Sequence, residues 1–229
     1  GRAENIRIAT EYPNLAEAFA LRRRLKRFAI FSLWGGAEAY PPESADLALV
    51  SATPENPVNR DLVSVGTILQ SRAYLVAHRP SWESKNMSPL LDRIRAGVGT
   101  MQPSPEKNRP AGLPHEPAAP KRTADPDAIW LALADGHQQK PTLEFLARAG
   151  IAISEDPWNP RRPAVNLDGV NVKVIRPQDM PLQVANGNFD LAITGEDWLA
   201  DQLFKFPSSP VKKIMTLGFG KVRVVAVVS

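Results

Sequence analysis

Residues 194–197 place several chemically useful groups next to one another. They are the hydroxyl group of Thr194, the backbone of Gly195, which no side chain hinders, and the carboxylates of Glu196 and Asp197. They follow the apolar run 189–193, whose length and flanking turn residues are typical of a buried strand. In open α/β sheets, ligands bind beyond the carboxyl ends of the strands. The pattern therefore predicts a ligand-binding loop at 194–197.

The stretch 174–201 around this loop has the order strand, helix, strand, loop. Asp179 is suited to cap a short helix, and Pro181 falls in its first turn, where no backbone donor is lost. Gly187 then ends the helix. Arg176 follows the end of the preceding strand.

Two segments of this stretch, 176–179 with Pro181 and then 190–197, resemble the first domain of the catalytic subunit of ATP phosphoribosyltransferase, the enzyme that opens histidine biosynthesis. The alternative interpretation is a generic βαβ edge. An N-terminal region is similar to the second domain of the same family: 8–14 to its opening, 35–38 to its glycine-glutamate turn and 71–77 to its exit strand. The segment 217–228 is similar to a glycine turn and strand of the first domain.

The order of these segments is rotated relative to the family. In the family, the counterpart of 221–228 precedes the counterpart of 6–14, which favours a circular permutation with the proline-rich segment bridging the family's own termini. We expect four parts: a second-domain-like lobe at 5–70 on the sugar-diphosphate side, a return strand and helix of the first-domain-like lobe at 71–99, a linker at 100–127, and the main, nucleotide-side part of that lobe at 128–229. The strands at 72–78 and 221–228 are predicted to lie side by side in the hinge.

The resemblance implies an α/β, two-lobed type II periplasmic-binding-protein-like fold with a hinge, circularly permuted relative to the family. A chain of 229 residues, 43% of them hydrophobic, is long enough to bury the core of two small lobes. The patterns predict a first helix capped by Asn14, with Glu17 at capping-box spacing, and a later helix at 88–95 ended by Gly97. The run of arginine and lysine at 22–27 is either a solvated helix end or a phosphate-binding element.

Composition excludes several classes of protein. Without cysteine, the chain has no disulfides, thiolate metal sites or cysteine nucleophile. Three scattered histidines predict no metal cluster, and no apolar run approaches the length of a membrane span. The net charge of +4 suits a phosphate-rich ligand, and no zinc-finger or RNA-binding motif points to nucleic acid. We expect a cytoplasmic protein with neither a membrane nor a nucleic-acid partner.

The resemblance also implies candidate ligand-binding residues. Arg176 and Asp197 match positions that contact nucleotide in the family, beside Thr194 and Gly195; a structural ion pair is the alternative for the first two. The other candidates lie in the cleft or in loops, and the alternative for each is an ordinary polar residue of the protein surface. They are Glu38, Thr53, Glu55, Asn56 and His137. No catalytic residue is identified.

Two loops depart from the family pattern. A phosphate cradle of Thr-Gly-Arg-Thr type is replaced by Thr53-Pro54-Glu55-Asn56, in which Pro54 lacks a backbone donor and Glu55 is negatively charged. A Lys-Gly-Arg turn is replaced by Asp135-Gly136-His137. Both changes weaken anion binding, and together they argue against full activity.

Three functions follow from this comparison. The resemblance implies an ATP phosphoribosyltransferase-like pentosyltransferase that, if active, transfers phosphoribosyl from phosphoribosyl pyrophosphate to N1 of ATP with Mg²⁺. Alternatively, it is a catalytically silent homologue that binds a nucleotide or small anion between its lobes, or a regulatory partner subunit. The implied partners are ATP or another nucleotide, phosphoribosyl pyrophosphate, and a second copy or a histidyl-tRNA-synthetase-like regulatory subunit.

Overall fold

The computed structural model describes residues 5–54, 56–59, 61–99, 127–154 and 161–229. The chain divides into two compact units: unit 1 comprises Gly1–Tyr74, Thr194–Ser209 and Phe219–Ser229, and unit 2 comprises Leu75–Ile193 and Pro210–Gly218. The predicted linker at 100–127, apart from Asp127, lies outside the described residues. The predicted division assigned all of 128–229 to one lobe, whereas here two segments of that range pack into unit 1.

The strands, in chain order, are β1 (Ile6–Thr10), β2 (Phe28–Ser32), β3 (Leu47–Ala52), β4 (Val63–Ser71), β5 (Ala73–His78), β6 (Ile129–Ala134), β7 (Val170–Ile175), β8 (Leu191–Gly195), β9 (Val211–Thr216) and β10 (Val222–Val228). The α-helices are α1 (Pro13–Arg22), α2 (Arg79–Ser84), α3 (Ser88–Gly99), α4 (Gln139–Arg148), α5 (Met180–Ala185) and α6 (Glu196–Lys205). Short 3₁₀ turns lie at Ala37–Ala39, Gly136–Gln138 and Pro177–Asp179.

The sheet of unit 1 has the strand order β2-β1-β3-β10-β4. The pairs β1–β2 and β1–β3 are parallel, whereas β10 runs antiparallel to both β3 and β4. Alternate residues of the central strands enter two different cores: Ile8 packs with α1 and α6 on one face, and Ala9 packs with Ala48 on the other. Burial on both faces explains why β3 and β10 are nearly continuous apolar runs in the sequence.

The second sheet has the order β7-β6-β8-β5-β9, in which β6 pairs in parallel with β7 and β8. It repeats the plan of the first sheet. In each sheet, three strands follow one another along the chain, and the strand next to them, β10 in the first sheet and β5 in the second, comes from another part of the chain. Two α/β units with mixed sheets confirm the predicted fold class. The prediction that strands 72–78 and 221–228 lie side by side is wrong: β5 belongs to the second sheet, and the strand beside β10 is β4.

The beginning of α1 differs from its prediction. The helix begins at Pro13 after Tyr12, and no side chain of its own segment caps it, so Asn14 lies inside the first turn. The cap comes instead from α6, where a carboxylate oxygen of Asp201 accepts a hydrogen bond from the Leu15 backbone nitrogen at 2.8 Å. The other oxygen accepts from the Asn14 amide nitrogen at 2.7 Å. A tertiary contact therefore supplies what the local sequence pattern had assigned to Asn14.

Several further boundaries differ from the sequence patterns. Residues 194–197 do not form a loop, since the strand continues to Gly195 and Glu196 begins α6. At 194–197, tertiary packing thus overrides the local propensity for a loop. The pattern at 165–174 predicts two short strands about the turn Asp168-Gly169, but only the second forms, as β7, and Val165 makes an isolated bridge with Ile153.

Gly97 lies inside α3 and not beyond its end, because a close helix contact requires it there. A Cβ atom added at Gly97 would stand 2.8 Å from the Cβ of Ala149 and 3.3 Å from its Cα. Ala149 follows α4 directly, so the glycine lets α3 approach the end of α4. The sequence pattern predicts that Gly97 ends the helix, whereas in the structure this glycine allows close packing inside it.

Replacing Gly97 with alanine is expected to lower the free energy of unfolding by about 1–2 kcal/mol, since the added methyl group overpacks this contact. The measurement is urea unfolding followed by circular dichroism. Gly99→Ala is the matched control: the same helix gains the same methyl group with nothing within 4 Å of it, so this variant should be neutral or slightly more stable. Equal effects of the two substitutions would contradict the packing explanation.

Candidate functional site

A cavity of about 440 Å³ opens in unit 1 beyond the carboxyl ends of β1 and β3. It is bounded by the two residues that follow β1, by the middle of β3 and by two loops. Its lining residues are Glu11, Tyr12, Gly36, Ala37, Glu38, Leu49, Val50, Ser51, Asn56, Pro57, Val58 and Asn59. Its position is the sheet edge at which α/β proteins bind ligands.

Two glycines bring Glu38 to this cavity. Gly35 and Gly36 have φ angles of 127° and 71°, a backbone conformation that other residues rarely adopt, and the chain then turns into the 3₁₀ segment that carries Glu38. A Cβ atom built on Gly35 would lie 3.8 Å from the Oε1 atom of Glu11. The Glu11 carboxylate therefore lies against the same turn.

The loop at 53–56 is closed by its own hydrogen bonds. The Asn56 backbone nitrogen donates to the Thr53 hydroxyl at 2.9 Å, and the Thr53 nitrogen donates to the Asn56 carbonyl oxygen at 3.0 Å. Asn56 lines the cavity, while the hydroxyl of Thr53 holds the loop. Glu55 lies outside the described residues.

The charge at the cavity is negative. Glu11 and Glu38 are its ionisable carboxylates, and its lining contains no lysine or arginine among the residues that the structure describes. Burial raises the pKa of Glu11, and the negative charges of Glu38 and Asp197 raise it further. The wall therefore favours ligands that donate hydrogen bonds over unneutralised phosphate.

Asp197 lies in the first turn of α6 and is buried, with 1% of its surface exposed. The hydroxyl group of Tyr12 donates a hydrogen bond of 2.7 Å to its Oδ2 atom. The Tyr12 ring also stacks on Trp198, with 4.1 Å between ring centroids. Burial raises the pKa of Asp197, and the hydrogen bond from Tyr12 opposes that rise. Asp197 thus joins α6 to the wall of the cavity through Tyr12.

Residues close to Asp197 in the sequence carry further buried polar groups. Among the described residues, Thr194 Oγ1 and Trp198 Nε1 are buried without a hydrogen-bond partner. Thr194 is fully buried at the end of β8, and Gly195 precedes α6 as its N-cap residue. Sequence reasoning placed Thr194, Gly195 and Asp197 at an accessible ligand loop. The structure instead buries Thr194 and Asp197 in unit 1, where Asp197 contacts Tyr12.

The remaining candidates lie in unit 2. His137 is exposed in the 3₁₀ turn after β6, and Arg176 is exposed at the end of β7, where it caps the next 3₁₀ turn. Arg161, which sequence reasoning missed, places its guanidinium 2.7 Å from the Asp135 carboxylate. A cation therefore does accompany the turn 135–137, although the local sequence shows only an acid and a histidine. The residues between 135 and 161 gave no cue to this pairing.

Asp190 is a second carboxylate with a structural role. It is 4% exposed and accepts hydrogen bonds from the Lys85 ammonium at 3.0 Å and the Trp130 backbone nitrogen at 2.8 Å. The lysine also donates to the Ala128 carbonyl oxygen. Since the buried charge is both paired and hydrogen-bonded, Asp190 fixes the start of β6 beside β8.

The described residues contain no group of three or more histidine, aspartate or glutamate side chains placed to hold a metal ion. The same part of the chain has no helix long and apolar enough to cross a membrane.

Comparisons with known proteins agree with the resemblance noted in the sequence. Among curated proteins, the ATP phosphoribosyltransferase of Cupriavidus metallidurans is 36% identical over 85 residues, covering 36% of this chain and 38% of that protein. The enzyme of the same name from Albidiferax ferrireducens is 41% identical over 75 residues, covering 32% of this chain and 35% of that protein. Each match therefore spans little more than a third of the relative's length.

Among solved structures, a periplasmic substrate-binding protein of an ABC transporter from Coxiella burnetii aligns over 97% of this chain and 84% of its own, with 16% identity and a TM-score of 0.44. The GluR0 ligand-binding core in complex with L-glutamate aligns over 100% of this chain and 86% of its own, with 8% identity and a TM-score of 0.45. The model of one protein family, described as HisG: ATP phosphoribosyltransferase, matches residues 1–96 and 176–229. Since these two segments make up more than half of the sequence and include every residue that lines the cavity, the chain belongs to the ATP phosphoribosyltransferase family.

Proposed function

We propose that this chain is an ATP phosphoribosyltransferase-like protein, which transfers the phosphoribosyl group of phosphoribosyl pyrophosphate to N1 of ATP. One observation carries the proposal: the family match includes the whole cavity wall of unit 1 as well as Arg176, Thr194 and Asp197. Catalysis of this transfer depends mainly on positioning the two substrates. Glu38 and Asn56 are the side chains we assign to hold the sugar.

The chemistry of the wall supports a sugar in this cavity. Carboxylates such as Glu11 and Glu38 accept hydrogen bonds, and ribose hydroxyl groups donate them. The Tyr12 hydroxyl donates its hydrogen bond to Asp197 and keeps its proton, because burial and the negative charge of Asp197 raise its pKa. The diphosphate would lie away from these groups, because unneutralised phosphate is repelled by carboxylates.

A second candidate is a catalytically silent homologue that binds a nucleotide or another small molecule, or that serves a partner subunit. The described lining is negative and contains no lysine or arginine, which favours this candidate, since a sugar diphosphate is normally neutralised by cations. The family reaction uses Mg²⁺, which carries positive charge and neutralises phosphate groups. Such an ion would be held mainly by the phosphate groups of the substrates, since Mg²⁺ usually keeps several waters and only one or two carboxylate ligands.

The rotated segment order is also a proposal, and sheet geometry supports it. Ala48 of β3 pairs with Ala9 on one side and with Val227 on the other. The end of β10 and the start of β1 therefore lie at the same sheet edge, two strand spacings or roughly 10 Å apart. A short connection would join them in the family's order.

Calorimetric titration with phosphoribosyl pyrophosphate, ATP and AMP, each with Mg²⁺, tests the proposal, followed by a transferase assay. We expect the sugar diphosphate to bind at micromolar strength and Glu38→Gln to weaken its binding about ten-fold, as expected for a lost charge-assisted hydrogen bond. Glu43→Gln, an exposed residue outside the cavity, should leave binding unchanged. Binding of nucleotide alone, with no sugar diphosphate, would favour the silent homologue. If Glu38→Gln strengthens sugar-diphosphate binding, the carboxylate repels the ligand and its assigned role is wrong.

A further inference from the structure

The end of α1 carries a dense group of cations that the proposed function does not use. Five of the six residues from 22 to 27 are arginine or lysine, and we call this segment the basic turn. All five charged side chains are exposed. They are Arg22, Arg23, Arg24, Lys26 and Arg27.

The basic turn has a defined backbone geometry. The Leu25 nitrogen donates to the Ala20 carbonyl oxygen and the Arg24 nitrogen donates to the Leu21 carbonyl oxygen, both at 3.0 Å. This pair of bonds is a Schellman motif, whose left-handed position is usually occupied by glycine or asparagine. Here Arg24 occupies it, with a φ angle of 56°. The chain thus holds a cation at a position where a small residue would be less strained.

The five cations are not explained by pairing within the protein. None forms an ion pair with a carboxylate of the described residues. Arg23 is ordered by its neighbours, since its guanidinium lies 5.6 Å from the centre of the Phe19 ring. The helix dipole accounts for one cation in the last turn, Arg22, but its effect fades beyond that turn. Arg24, Lys26 and Arg27 all follow the helix.

The basic turn is separate from the cavity. The Arg27 carbonyl oxygen accepts a hydrogen bond from the Ile6 nitrogen, so the turn lies at the edge where β1 and β2 begin. The cavity lies at the opposite edge, where β1 and β3 end. The length of a five-residue strand, about 16 Å, separates the two edges.

We propose that the basic turn is a binding site for a short oligophosphate, independent of the function of the cavity. Guanidinium groups bind phosphate oxygens in a bidentate manner, and several within one turn match phosphates that are linked directly to one another. Five cations within six consecutive residues suit a chain of a few phosphates better than an extended backbone, which needs cations spread along a surface. Arg24 occupies the left-handed position of this turn, with cations before and after it in the sequence.

The test uses inorganic tripolyphosphate as the probe, titrated into the full chain at several salt concentrations. Arg24→Gly removes one charge while giving the left-handed position its preferred residue. We expect this variant to bind tripolyphosphate about three- to ten-fold more weakly. The slope of log affinity against log salt concentration should fall by about one. The unfolding temperature should be unchanged or higher by about 1–3 °C. Arg24→Lys keeps the charge but not the bidentate guanidinium, so its affinity should fall between those of the parent protein and Arg24→Gly.

Lys205→Gln is the control, because Lys205 is an exposed cation in the last turn of a different helix, α6; it should leave binding unchanged. A single-stranded DNA oligonucleotide is titrated in parallel. If DNA binds more tightly than tripolyphosphate at equal salt, the oligophosphate assignment is overturned in favour of a nucleic-acid backbone. It is overturned as well if tripolyphosphate does not bind, if Lys205→Gln weakens binding as much as Arg24→Gly, or if Arg24→Gly and Arg24→Lys weaken it equally.

Discussion

Replacing Tyr12 with phenylalanine is expected to lower the free energy of unfolding by about 2–3 kcal/mol, measured by urea denaturation at neutral pH. The change removes one oxygen atom and keeps the ring that stacks on Trp198. It leaves the Asp197 carboxylate, which is 1% exposed, without its hydrogen bond from Tyr12. A hydrogen bond to a charged group contributes about this amount, and the buried charge left behind remains costly.

Asp197→Asn is the matched variant, because it removes the charge that makes the loss expensive. The double variant Tyr12→Phe, Asp197→Asn should be less destabilised than the sum of the two single changes. Additive effects would show that the two side chains do not act as a pair.

The same pair sets an expected response to pH. Burial raises the pKa of Asp197 above its ordinary value in the folded protein, so the folded state binds a proton that the unfolded state does not. Stability from this group is therefore fully present below the unfolded pKa and is lost as pH rises through the raised pKa. Acidification from pH 7 toward that window should raise the urea midpoint more in the parent protein than in Asp197→Asn. An equal response in both proteins would show that Asp197 does not contribute.

Asp201→Ala should cost about 2–3 kcal/mol, because Asp201 caps a helix other than its own. The substitution leaves the Leu15 nitrogen and the Asn14 amide without their shared acceptor. A lost cap contributes about 1 kcal/mol, and an unsatisfied buried donor adds a similar amount. The measurement is again urea unfolding, with helix content monitored by circular dichroism.

Two variants separate the parts of this contact. Asp201→Asn keeps one acceptor oxygen and should cost less than the alanine substitution. Asn14→Ala removes only the side-chain bond and leaves the cap on Leu15, so it should be the mildest of the three. If Asn14→Ala is the most damaging, the original sequence interpretation of Asn14 as the cap would be restored.

The elements of the fold that the sequence predicted well are those with a continuous buried core. The strands near 6–9 and 128–134 appear as apolar runs because sheet packing covers both of their faces. Elements without such a core were less visible: α2 has no buried residues, and β9 has exposed lysines at 212 and 213. Gly97 shows how one residue type fits two causes, since a helix stop and a close helix contact both favour glycine.

The candidate site was partly predictable for the same kind of reason. The Gly35-Gly36 turn before Glu38 is a local pattern, and the structure places Glu38 at the cavity. The partnership of Tyr12 with Asp197 spans 185 positions of sequence, and that of Arg161 with Asp135 spans 26. No periodicity connects such residues, so only the fold shows that one acid is buried and the other is paired with a cation.

The position of β10 between β3 and β4 affects how this protein assembles during synthesis. β10 is the last of the described strands to leave the ribosome, yet it is the strand that joins β4 to the rest of its sheet. Strands β5 to β9, which form the second sheet, have all been made by then. The sheet of unit 1 therefore stays incomplete until β10 has been made, whereas all strands of the second sheet are already available for folding. We expect the nascent chain to depend on chaperones at that stage, since non-local pairing is slow and leaves strand edges exposed to aggregation.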